Sequence, residues 1–119
     1  MRTDKFTVKS QEAINEALKL AENAGNPAVD CIHLLVALLR QSDGLIPPTL
    51  EKMGVNTPSL SREASAEMDR EPSQSGGASP APTSALKKVF DFAEKEAQRL
   101  KDDFVSTEHL LLALAQVSS

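Results

Sequence analysis

Apolar residues fall along this chain at helical spacing, and the pattern is written twice. In the first stretch Ala13, Ala17, Leu20, Ala21 and Ala24 share one face, with Ile14 and Leu18 on its flank. This spacing predicts an amphipathic helix that opens after Thr7 as its N-cap and stops at Gly25-Asn26-Pro27. The run to Leu39 is apolar on nearly every side and follows Asp30, which predicts a buried central helix capped by that carboxylate. Ser42-Asp43-Gly44 ends it. Pro47-Pro48 predicts a short third helix closed by Gly54, and Asn56-Thr57-Pro58 predicts a fourth, more polar helix reaching about Met68, with Thr57 at its cap.

A second copy follows. His33-Leu34-Leu35-Val36-Ala37-Leu38-Leu39 returns as His109-Leu110-Leu111-Leu112-Ala113-Leu114-Ala115, an offset of 76 residues. The same offset pairs Val29 with Val105, Ala21 with Ala97, Lys19 with Lys95, Ala17 with Ala93 and Thr7 with Thr83, without a gap. A phase held across two helices and a loop marks one folding unit used twice, and the period is too long for a solenoid. Two copies about a pseudo-two-fold axis are expected. In the second, Leu86, Val89, Phe90, Ala93, Ala97 and Leu100 form the apolar stripe, and Ser106 caps the next helix with Glu108 in its first turn.

Between the copies, residues 71–84 are rich in Pro, Gly and Ser and read as a mobile linker. The division is therefore a single domain over 1–119, with repeat one at 6–70, the linker at 71–84 and repeat two at 85–119. The first copy continues for about thirty residues beyond the point equivalent to Ser119, so repeat two is expected to be incomplete and the sequence to be cut from a longer protein.

Composition narrows the chemistry. The chain has 119 residues and room for one modest core; Phe is its sole aromatic type, which favours closely packed helices of Leu, Ala, Val and Ile. A net charge of −4 without a basic block argues against nucleic acid. No apolar run approaches a membrane span, and no secretory signal opens the chain. Cys31 stands alone, which excludes an internal disulfide and fits the cytoplasm; it is expected to be buried and inert. His33 and His109 occupy equivalent first-turn positions with no ligand-spaced partner, so they are expected to bond neighbouring loops rather than a metal. Phe92 lies off the stripe, and its mate is Glu16, which suggests an exposed apolar contact; packing against the linker or fourth helix is the plainer account.

The duplicated His-Leu-Leu elements, the opening Met1-Arg2-Thr3-Asp4-Lys5-Phe6-Thr7 and Ser10-Gln11-Glu12-Ala13 resemble the Clp repeat domain that begins bacterial ClpB-type disaggregases. The resemblance covers essentially the whole chain. It implies an all-α fold made by pseudo-two-fold duplication of a four-helix Clp repeat. It also implies a parent protein that is a homohexameric, coiled-coil-bearing AAA+ ATPase of the stress response, using ATP and Mg, cytoplasmic, and working with a DnaK-type chaperone through other domains. This part would capture apolar segments of unfolded or aggregated polypeptides. It carries no G-x-x-x-x-G-K-[ST] loop and is expected to be no enzyme by itself, to bind no metal or cofactor, and to touch neither nucleic acid nor membrane.

Carried over residue by residue, the resemblance implies a substrate groove drawing on Val89, Phe90, Phe92 and Leu110, with Thr7, Asp102 and Glu108 as polar members. Thr7 and Glu108 also have sufficient explanations as an N-cap and a helix-dipole partner, and Phe90 lies on the core stripe. The rival implied by the protease-partner relatives of the ClpC and ClpA type is an adaptor-docking or phosphoarginine-binding domain. That reading calls for paired acidic sites, and Ile32 stands where a carboxylate would match Glu108.

Overall fold

The computed structural model describes residues 4–74 and 79–117. Its element order is α1 (Val8–Asn23), β1 (Ala28–Val29), α2 (Cys31–Arg40), α3 (Ile46–Lys52), α4 (Thr57–Asp69), β2 (Ala81–Pro82), α5 (Ser84–Arg99) and α6 (Thr107–Gln116). The fold is all-α apart from the short β1–β2 pair, as the periodicity and the resemblance implied. Repeat one supplies α1–α4, and the described part of repeat two supplies α5 and α6.

The helix ends show why these residues fold where they do. Thr7 accepts from the Ser10 N–H at the start of α1, and Thr83, its mate, accepts from the Leu86 N–H at the start of α5. Asp30 and Ser106 cap α2 and α6. At the start of α4 the cap is Asn56, one residue before the expected Thr57, because its carboxamide oxygen accepts from the Ser59 N–H. α1 and α5 end in the same way. Gly25 N–H reaches Glu22 O at 3.0 Å and Asn26 N–H reaches Ala21 O at 2.9 Å; their mates Lys101 and Asp102 reach Gln98 O and Ala97 O at 3.0 and 2.8 Å. These are paired Schellman closures, which require a left-handed residue after the cap.

A single apolar core joins both copies. Ala13, Ala17 and Ala21 of α1 and their mates Val89, Ala93 and Ala97 of α5 are buried in it, together with Leu34 and Leu38 of α2 and Leu110 of α6. Small residues on α1 and α5 let the helices approach α2 and α6 closely, which is why so few aromatics suffice. α4 closes a smaller cluster in which Ala64 and Met68 cover Val36, with Ile32, Leu35 and Leu39 at its edge.

The sequence reading missed the strand pairing. β1 runs parallel to β2, with Ala28 opposite Ala81 and Val29 opposite Pro82, and an isolated parallel bridge joins Phe6 to Val105. Those two contacts are mates under the 76-residue offset. Each ties the entry segment of one copy to the loop before the central helix of the other. The expected linker is accordingly held at both ends: Asn26 Nδ2 donates to Pro72 O at 2.8 Å, Pro80 is buried, and Thr83 Oγ1 donates to Asp30 Oδ1 at 2.8 Å. Its residues 75–78 lie outside the described residues, as do residues 1–3 of the opening motif.

Candidate functional site: an apolar groove between the first helices of the two copies

α1 packs on α2 and α6, and α5 packs on α6 and α2; the space left between α1 and α5 is an apolar groove of about 220 Å³. Ile14, Ala17 and Leu18 form the α1 wall, and Leu86 and Phe90 form the α5 wall. Val29 and Leu34 lie beneath, while Pro80 and Pro82 close one end. Among the described residues no ionisable side chain lines it. Leu18 remains 36% exposed at the lip, so the groove is open to solvent at a hydrophobic edge. Such a surface can exclude water from an aliphatic or aromatic guest.

The residues singled out from the sequence are distributed unevenly around this groove. Phe90 lines it, with its ring edge-to-face against Phe6 at a centroid distance of 6.1 Å. Val89 and Leu110 are fully enclosed in the core beneath. Phe92 is half-buried and packs against the main core cluster, not against the α4 cluster. Thr7, Asp102 and Glu108 do not line the groove. Thr7 caps α1, and its own N–H donates to Val105 O at 3.0 Å; Glu108 is exposed in the first turn of α6. Of the groove's lining only Phe90 was among the residues singled out; the α1 wall, Leu86 and the two prolines were not. An exposed aromatic does exist, but it is Phe104, 55% exposed in the loop before α6.

The two histidines form a matched pair of loop clamps. Asp30 N–H donates to His33 Nδ1 at 2.9 Å, which leaves Nε2 to donate to Asn26 Oδ1 at 2.9 Å. Ser106 N–H donates to His109 Nδ1 at 2.9 Å, and Nε2 faces Asp102 Oδ2 at 3.0 Å. Ser106, His109 and Asp102 thus include the residue types of a hydrolase triad, yet the ring nitrogens are used the opposite way round: the serine sits on Nδ1 and the carboxylate on Nε2. The equivalent Asp30, His33 and Asn26 repeat the geometry with no nucleophile, so both sets are capping devices. Burial holds the His33 imidazole below the usual histidine range, consistent with a neutral ring inside the protein. Burial, aided by Asp30, pushes the Cys31 thiol up to about 11, which suppresses the thiolate despite its first-turn position. Among the described residues no cluster of His, Cys, Asp and Glu could hold a metal ion, and no helix is long and apolar enough to cross a membrane.

Comparison with known proteins supplies the remaining context. Residues 5–119 match the model of the Clp repeat (R) N-terminal domain. The chaperone protein ClpB of Propionibacterium freudenreichii subsp. shermanii is 42% identical over 121 aligned residues, covering 100% of this chain and 14% of that protein. The Hsp104 N-terminal domain from Candida albicans superposes with a TM-score of 0.86 at 25% identity, covering 93% of this chain and 73% of that one. A ClpV N-domain solved in complex with a VipB peptide has the same fold, with a TM-score of 0.79 at 20% identity over 92% of this chain and 66% of the other.

Proposed function

The chain belongs to the Clp repeat N-terminal domain family, and from that premise we propose that it captures apolar segments of unfolded or aggregated polypeptides for an ATP-driven disaggregase. It is a Clp N-terminal domain rather than an ATPase module, and its relatives are ClpB/Hsp104-type chaperones. The chain spans about one-seventh of the length of the ClpB proteins it matches. Nucleotide hydrolysis with ATP and Mg, a hexameric ring, cooperation with a DnaK-type system and a cytoplasmic setting are therefore proposed for a whole protein of that kind.

The observation that carries the reading is the open groove walled by Ile14, Leu18, Leu86 and Phe90. Apolar burial contributes on the order of 25 cal/mol per Å² removed from water, so a groove of this size binds weakly and tolerates many sequences. Several tethered copies raise the avidity without any new contact. Within this proposal Phe90 meets the bound segment, Val89 and Leu110 support it from the core, and Phe92 packs against that core from the α5 flank. Thr7 holds the α1 cap, Asp102 meets His109 in the loop before α6, and Glu108 stands in the first turn of α6. The peptide seen with the ClpV N-domain shows that a neighbour of this fold accepts a polypeptide ligand.

The adaptor-docking or phosphoarginine reading has less support. Its first acidic position is Ile32, which is half-buried against the α2–α4 cluster and has no charge to offer. An amide chemical-shift titration with an unfolded, apolar-rich client separates the two. Capture in the groove predicts shifts around Leu18, Leu86 and Phe90, and at least tenfold weaker binding by a folded Leu18→Glu variant. Shifts gathered around Glu108 and Asp102 that persist in Leu18→Glu would move the assignment to adaptor docking.

A further inference from the structure

The duplication gives the open groove a counterpart in the other copy, built from the residues at the 76-residue offset. The 76-residue correspondence converts each wall of the open groove into a residue of the other copy: Ile14 into Phe90, Val29 into Val105, Leu86 into Ser10, and Pro82 into Phe6. The last exchange decides the outcome. Phe6 is 2% exposed, paired through its backbone with Val105, and set edge-to-face on Phe90 at 80° between ring planes. In its own copy Phe6 takes the position beside Val105 and Phe90 that corresponds to the one Pro82 takes beside Val29 and Ile14, and there a ring stands where the other copy has a proline. The counterpart is a self-occupied copy of the open groove.

We propose that the open groove is the vacant counterpart of the Phe6 seat, and that it takes one aromatic side chain, of phenylalanine type, from the bound polypeptide. This rests on the reading of the groove as the capture site. The strand position next to Val29 is already taken by β2, just as the one next to Val105 is taken by Phe6. What the open copy lacks is therefore a side chain and not a strand. The guest contributes its ring without pairing its backbone, which makes recognition tolerant of neighbouring sequence. The available space is adequate, since a cavity of roughly 150 Å³ already accepts benzene and this groove offers about 220 Å³. Phe90 serves both sites: it meets Phe6 and also lines the open groove, so a guest ring can be paired there as well. An aromatic pair adds a preference of roughly two- to tenfold over an aliphatic guest of similar area.

The test uses polar, unstructured peptides carrying a single Phe, a single Leu or a single Ala, and a fourth peptide rich in Leu, Ile and Val, each titrated against the 119-residue chain by amide chemical shifts. The Phe peptide is expected to bind at least tenfold more tightly than the Ala peptide and a few-fold more tightly than the Leu peptide. Pro82→Phe should supply the missing ring from within and abolish Phe-peptide binding while the shifts of the core amides persist; the equivalent backbone already carries Phe at position 6. Phe90→Leu, which keeps the core apolar, should remove the Phe-over-Leu preference. Wild-type affinity in Pro82→Phe, or equal binding of Phe and Ala peptides, overturns the proposal. If the aliphatic peptide shifts the groove amides and Phe brings no advantage, capture stands and the aromatic seat falls. If no peptide shifts them, both fall.

Discussion

Lys101 adopts a left-handed backbone at φ 61°, in the position that Gly25 fills in the first copy at φ 70°. The Schellman closure demands that conformation, and a side chain there costs about 1–2 kcal/mol. A glycine avoids the clash but loses about 0.4–1 kcal/mol through its freer unfolded chain. Lys101→Gly is thus expected to stabilise the protein by about 0.5 kcal/mol in a urea titration, and an unchanged or lower midpoint would show that the lysine conformation carries no strain. The reverse change at Gly25 has no such margin, because an added Cβ would stand 3.1 Å from Gln74 O as well as at positive φ. Asp102 differs from Asn26 in the same pairwise way. The fold keeps the hydrogen bond to histidine and changes its partner from a carboxamide to a carboxylate.

Among the elements, α2 and α6 show what one copy has and the other lacks among the described residues. Val36 is 1% exposed beneath α4, whereas its mate Leu112 is 39% exposed on α6. Val36→Ala is expected to cost about 2 kcal/mol through the cavity it leaves, and Leu112→Ala about 0.5 kcal/mol or less. Comparable losses in chemical denaturation would mean that the α6 face is covered in solution. α1, α2, α5 and α6 were legible in the sequence because each carries an apolar pattern of helical spacing behind a capping residue, and because these patterns recur at the 76-residue offset. The two-residue strands were not, since such a short pairing has no period to detect. The groove was half legible. Phe90 was read as a core residue or a groove residue and is buried while lining the groove. Leu18 looked like the flank of a stripe, and the opening that it borders depends on the comparison of Pro82 with Phe6 rather than on any local pattern.

For the whole molecule, the shared core makes separate melting of the two copies unexpected. Leu34 and Leu38 belong to the same cluster as Phe90 and Leu110. The slowest amides of α1 and α2 should therefore report the same opening free energy as those of α5 and α6, within about 0.5 kcal/mol, in native-state hydrogen exchange. A gap of several kcal/mol would instead make the second copy an independently opening unit. The crossed strand contacts, Phe6 with Val105 and Pro82 with Val29, lead to a different point about assembly. Each half lends its leading segment to the other, so two halves on separate chains would meet as a reciprocally exchanged pair. Joining them in one polypeptide replaces a concentration-dependent encounter by a fixed one-to-one stoichiometry, at an effective concentration set by the connecting segment. Dilution then cannot part the halves, and a guest drawn against the groove pulls on a clasp closed from both sides.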